Sequence, residues 1–225
     1  MRILFIRHGE PNYAADCLTE AGRIQAAACA RRLRGEGIRE IYASPCGRAQ
    51  ETAEYTAALL HLPVIILDFM REIRWGGPGV PHEGHPWTLG DLMLAEGFDF
   101  VREDWRQHPY FRENAATACC DAIAPEFDAF LEKHGYRHEG RRFRCMGGTD
   151  KTIALFSHGG SGACVLGHLM NLPFPYVCSA MPYDFTSIIT LDFPAAEGQY
   201  VFPRLDLFND CAHYKRNIND RVFQR

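Results

Sequence analysis

Two histidines in this chain, His8 and His158, each follow an apolar run and each precede a glycine. The first run is Ile3-Leu4-Phe5-Ile6, closed by Arg7-His8-Gly9-Glu10-Pro11. The second is Thr152-Ile153-Ala154-Leu155-Phe156, closed by Ser157-His158-Gly159-Gly160. An imidazole beside a guanidinium suits anion chemistry. A neutral ring nitrogen can also act as a nucleophile. One such pair alone is also the ordinary solvated end of a strand, because short motifs recur by chance. A second copy far along the chain changes the balance. If the two strands are neighbours in one sheet, His8 and His158 face each other across one pocket.

The elements that must deliver these side chains can be read from the pattern. Short apolar runs without alternation suit strands buried on both faces of a sheet covered by helices. Ligands bind outside the carboxyl ends of such strands. Pro11 to Cys17 reads as a loop, and Thr19 caps a helix that ends near Gly35. A second strand, 38–43, stops at Ser44-Pro45, where a helix over about 47–60 begins. Arg48 then falls in the first helical turn, where free N–H groups and the helix dipole favour an anion. Otherwise Arg48 is a surface arginine paired with Glu51 or Glu54. A third strand, 64–67, places Glu72 just past its end, within reach of the same pocket.

Trp75 to Trp87 holds four glycines and three prolines and cannot be regular structure. It reads as a loop folded over a site. His82, Glu83, His85 and Trp87 are its candidate substrate contacts, and Glu83 rivals Glu72 for the role of acid. His82 and His85 lack the further ligands that a metal site needs. Helices are expected at 88–96 and 114–134, with Pro125 starting or interrupting one of them. A turn or short hairpin over 136–149 follows, then the strand ending at His158 and a helix over 163–170. Two more strands, 187–193 and 199–207, make the sheet mixed. The remaining tail is polar.

The ordered set Arg7-His8-Gly9-Glu10, Leu18-Thr19-Glu20-Ala21-Gly22, Ser44-Pro45-Cys46-Gly47-Arg48-Ala49-Gln50-Glu51-Thr52-Ala53 and Ser157-His158-Gly159 resembles the histidine phosphatase, or phosphoglycerate-mutase-like, superfamily. The resemblance implies a three-layer α/β/α sandwich with a mostly parallel, mixed central sheet. It also implies His8 as nucleophile and Glu72 as proton donor, with a phosphate cage of Arg7, Arg48 and a protonated His158. Gly159 lets phosphate approach the backbone, Asn12 is an added phosphate contact, and Glu10 is structural. The expected activity is a metal-independent phosphomonoesterase working through a phosphohistidine, with no cofactor. A phosphoglycerate mutase is the alternative. The short span between the first two motifs and the lack of a paired-arginine insert weigh against it. A binding module without turnover is a further alternative, opposed by the intact set Arg7, His8, Arg48, Glu72 and His158.

Composition supports an ordinary globular chain. Of 225 residues, 47% are hydrophobic and 23% charged, and 24 basic against 28 acidic residues give a net charge of −4. One domain, 1–225, is expected, with an insertion at about 74–135 acting as a lid that selects substrate. No basic run points to nucleic acid, and no apolar stretch reaches the ~20 residues that span a bilayer. The resemblance implies a small phosphorylated substrate as partner, and the oligomeric state is open. The nine scattered cysteines suggest reduced thiols in the cytoplasm.

Overall fold

The computed structural model describes residues 1–195 and 197–214, so the polar tail expected beyond residue 214 lies outside the described residues. The chain opens with β1 (Arg2–Arg7), β2 (Pro11–Asn12), β3 (Cys17–Leu18) and α1 (Glu20–Leu33). It continues with β4 (Ile38–Ala43), α2 (Gly47–Leu60), β5 (Val64–Ile66), α3 (Pro86–Ala95), α4 (Pro109–Arg112) and α5 (Ala115–Lys133). Next come β6 (Tyr136–Glu139), β7 (Arg142–Cys145), β8 (Thr152–Ser157), α6 (Gly159–Met170), α7 (Phe174–Ala180), β9 (Ile188–Asp192), β10 (Tyr200–Val201) and β11 (Arg204–Asp210).

Six strands form the central sheet in the order β11-β9-β1-β8-β4-β5. β8 lies parallel between β1 and β4, and β5 is parallel to β4. β9 runs antiparallel to both β1 and β11, which makes the sheet mixed as expected. The two apolar runs are buried on both faces because alternate residues enter different cores. Ile3, Phe5, Ile153 and Leu155 pack with α5 and α6 residues such as Phe127, Leu131, Val165 and Leu169. Leu4, Ile6, Ala154 and Phe156 pack with Cys29 and Leu33 of α1 and Ala53 and Ala57 of α2. Helices thus flank both sides of the sheet. Among the described residues no helix is long and apolar enough to cross a membrane.

Several local expectations change. Pro11–Cys17 is not an open loop, since its ends pair as β2 and β3. That ladder continues the Glu10 carbonyl's bond from Thr19 N–H at 3.0 Å, while Leu18 N–H is held by Glu51 at 2.7 Å. Thr19 does cap α1, accepting from Gly22 N–H at 3.0 Å. Gly22 is required there because an added Cβ would sit 2.2 Å from the Glu10 carbonyl oxygen. Pro125 neither starts nor breaks α5. Its exposed position lets the carbonyl it leaves unpaired, on Asp121, meet water. The strand expected over 199–207 divides at Pro203, which has no N–H for a ladder. β10 joins β7 and β6 in a small separate sheet, and β11 joins the main one.

The cysteines are not all reduced. Cys120 of α5 and Cys164 of α6 form a disulfide with Cα atoms 5.1 Å apart. Their separation in sequence hid the pairing, which arises because the two helices pack side by side.

Candidate active site

β1 and β8 are direct neighbours in register, Arg7 opposite Ser157, and His8 N–H donates to Ser157 O at 2.9 Å. The next residues on each strand are the two histidines, so their rings meet with centroids 5.1 Å apart at 62°. His8 is 1% exposed and His158 is fully buried. His8 Nδ1 lies 2.7 Å from Gly9 O, which makes Nδ1 the donor and leaves the Nε2 lone pair available. Burial, then the charges of Arg7 and Arg48, hold His8 well below the usual imidazole pKa. The ring is therefore neutral at pH 7.

Three further elements complete the pocket. Arg7 Nη1 donates to Tyr183 O at 2.7 Å, its guanidinium lies 4.4 Å over the Phe185 ring, and its Nε is buried without a partner. Arg48, in the first turn of α2, points Nε at His8 Nε2 across 3.4 Å. Its Nη1 pairs with Asp16 at 2.5 Å, so its acidic partner is neither Glu51 nor Glu54. Glu51 is already held by Arg23 at 2.7 Å. Ser44, at the end of β4, places its hydroxyl 2.6 Å from His158 Nε2, while His158 Nδ1 is buried and unpartnered. Burial, followed by the neighbouring His8 ring and the Arg48, Arg7 and Arg71 charges, pushes His158 far below its ordinary pKa. It is neutral in the protein by itself; only an incoming anion would restore the protonated form expected from sequence.

Glu72 is tied to the start of α6. Its Oε1 accepts N–H groups of Gly160, Ser161 and Ile73, each at 3.0 Å. Burial raises its pKa against the lowering effect of those donors and of Arg7. The helix begins at Gly159, earlier than the expected 163, and Gly160 allows the carboxylate in. A Cβ there would fall 2.6 Å from Glu72 Oε1 and 2.4 Å from Ile73 Cγ1. A Cβ on Gly159 would lie 3.5 Å from Trp87 and 3.6 Å from Arg7 Cζ, so Trp87 flanks the same pocket. His85 packs on Trp87 with centroids 5.0 Å apart and meets Thr88 Oγ1 at 3.0 Å.

Among the described residues, the other candidates make no hydrogen bond to these side chains. Asn12 is exposed, with Oδ1 accepting from Ala15 N–H at 3.3 Å. His82 and Glu83 are exposed in left-handed backbone conformations, φ 50° and 54°. Glu10 is structural, accepting from Thr19 Oγ1 at 2.9 Å. A cleft of about 580 Å³ lies in the insertion, lined by Glu96, Glu103, Asp104 and His108 among others, and no pocket residue lines it. Its carboxylates would repel a phosphate.

A family model described as histidine phosphatase superfamily (branch 1) matches residues 3–204. The chain belongs to the histidine phosphatase superfamily. Among curated relatives of this superfamily member, a probable phosphoglycerate mutase of Yersinia pestis is 28% identical over 183 residues, covering 77% of this chain and 76% of the relative. Among solved structures, the phosphate complex of a mycobacterial glucosyl-3-phosphoglycerate phosphatase is 24% identical, with TM-score 0.66, covering 95% of this chain and 99% of that one. A phosphoserine phosphatase of Entamoeba histolytica, in complex with 3-phosphoglyceric acid, is 22% identical with TM-score 0.64, covering 94% and 98%. These structural likenesses are likenesses of fold. The chain is thus an enzyme of this superfamily, phosphatase or mutase.

Asp16 escaped sequence reading because it sits in a short loop with no periodic signal. Its two oxygens take Arg48 Nη1 and, at 2.7 Å, the Gly47 N–H. Burial would raise its pKa, but these donors outweigh it and hold the carboxyl below the usual range. Asp16 thereby occupies donors that an anionic ligand would use. In Asp16→Asn, inorganic phosphate should inhibit about threefold more tightly, the size of a half-exposed ion pair. The inhibition constant against an aryl phosphate measures this. Weaker inhibition would mean that Asp16 aims Arg48 instead of competing with the ligand.

Proposed function

We propose that this protein is a metal-independent phosphomonoesterase that hydrolyses a small phosphorylated metabolite through a phosphohistidine at His8. One observation carries the reading. Arg7 Nε and His158 Nδ1 are both buried without partners around the neutral His8. Buried polar atoms are nearly always satisfied, and phosphate oxygens would satisfy both. In the reaction, His8 Nε2 attacks phosphorus as the ester P–O bond breaks, and Glu72 gives its proton to the leaving oxygen. Water, deprotonated by Glu72, then cleaves the P–N bond and releases phosphate. Arg7, Arg48 and His158 stabilise the oxygens throughout, each such group being worth roughly 3–4 kcal/mol of barrier.

The segment 74–135 acts as the lid of a single-domain enzyme. Its aromatic group of Trp75, His85 and Trp87 is mutually packed at 5.0–5.8 Å and adjoins Gly159 and Arg7. The mutase reading draws on the name of the Yersinia relative. Against it, the loop between β2 and β3 is only Tyr13 to Asp16, too short to reach over a second phosphate.

The test is hydrolysis of p-nitrophenyl phosphate in excess EDTA, alongside 3-phosphoglycerate followed for both phosphate release and isomerisation. Chelator-resistant phosphate release without isomerisation is expected. Isomerisation outrunning hydrolysis would establish the mutase, and loss of turnover on chelation would overturn the mechanism. Folded protein with neither activity would leave a very selective lid or a binding module, and acid-labile labelling of His8 by phosphodonors separates the two.

A further inference from the structure

Three residues that the phosphatase chemistry does not use converge far along α6 from its Gly159 end. They are Asp128 of α5, His138 of β6 and His168 in the last turn of α6. Asp128 Oδ1 lies 2.7 Å from His168 Nε2, and Oδ2 lies 3.0 Å from His138 Nδ1. One ligand atom from each residue can be chosen so that all lie within 4.8 Å of one another. Their side chains are 28%, 16% and 19% exposed, which leaves the cluster open to solvent on one side. Both rings are oriented by packing. His138 stacks on Phe143 at 4.6 Å and 16°, and His168 meets His138 edge-on at 4.7 Å.

We propose that Asp128, His138 and His168 form a three-ligand site for a divalent cation of the zinc class, clamping α6 and the β6–β7 hairpin onto α5. Two imidazoles and one carboxylate are the donor set such ions prefer, and three protein ligands leave a fourth position for water. Tetrahedral donors about 2.0–2.1 Å from zinc lie roughly 3.3 Å apart, so one oxygen of Asp128 and one nitrogen of each ring, now within 4.8 Å of one another, draw together by up to about 1.5 Å on binding. The hydrogen-bonded arrangement is the metal-free form of the same cluster. On ligation each ring proton moves from the ligating nitrogen to the other ring nitrogen, and the carboxylate stays ionised. The site is structural and independent of the proposed hydrolysis at His8.

Zinc binding to the EDTA-stripped, full-length chain tests this by calorimetry and metal analysis after dialysis, under inert gas and without reductant so that the Cys120–Cys164 disulfide stays intact. One zinc per chain is expected. Its affinity should fall at least ~10-fold in His168→Gln and in Asp128→Asn, and stay unchanged in the control His82→Gln/His85→Gln. Cobalt should give tetrahedral visible bands without a thiolate charge-transfer band. No retained zinc in the wild type, equal binding in all variants, or a thiolate band would overturn the proposal. Should the two variants not fold, imidazole nitrogen NMR of the wild type decides. Zinc must shift His138 and His168, and unmoved resonances overturn the site.

Discussion

His8→Ala should lower phosphomonoester turnover on the order of 10⁴-fold or more, because the atom that bonds to phosphorus is gone. Phosphate binding should survive within about tenfold, since Arg7 and Arg48 remain as planar donors. Rapid-quench turnover and phosphate binding by the folded variant check both statements. A residual rate within a hundredfold of wild type would remove His8 from the chemistry. The wild-type pH profile carries a second signature. Burial and the two arginines hold His8 well below the ordinary imidazole pKa. A lowered pKa means that the nucleophilic form persists as pH falls through ~6.5. After allowing for the substrate's own ionisation near 6, kcat/KM should show no acidic limb at the unperturbed histidine value.

Glu72→Gln should reduce kcat by about 10²–10⁴-fold on alkyl phosphates, the usual worth of a positioned general acid. The loss should be much smaller in the burst of p-nitrophenolate from p-nitrophenyl phosphate, whose leaving group needs no proton. The sign of the pH effect follows from burial, which raises the Glu72 pKa. The protonated, donating form is present below that raised value and is lost as pH rises through it. Wild-type kcat on an alkyl phosphate should therefore fall on the alkaline side, and the glutamine variant should lose that limb. Equal losses on both substrates, or an unchanged limb, would assign the acid elsewhere. Glu83 is the next residue to replace.

The core of this arrangement was legible because it depends on local patterns. Ile3 to Ile6 and Thr152 to Phe156 are apolar on both faces, and that alone marks them as central strands delivering His8 and His158. Arg48 was legible from its distance to Pro45 and the helix start. The start of α6 was not. Gly159 to Gly162 look like a loop by propensity, yet the bare backbone at Gly160 and Gly162 is a packing requirement. A Cβ on Gly162 would fall 2.1 Å from the Tyr183 hydroxyl and 2.6 Å from Phe5. Tyr183 and Phe185, which hold Arg7, come from an irregular segment before β9 and carry no periodic signal. Asp16, the Cys120–Cys164 disulfide and the Asp128–His138–His168 cluster are all contacts between distant elements. Spacing in one dimension cannot reveal them.

The neighbour relation of β1 and β8 also governs when this protein can become active as it is made. His8 is synthesised within the first ten residues, yet β8, which separates β1 from β4 in the sheet, is among the later strands. A ribosome adding about 5–20 residues per second leaves the first strand waiting for its central partner for many seconds. Until residue 157 has emerged, Arg7 has no Ser157 beside it and His8 no opposing imidazole. Such long-range pairing slows folding and exposes the apolar strand to wrong partners in the interval. The His8–His158 pocket therefore comes into existence late, and no chain shortened before β8 can contain it.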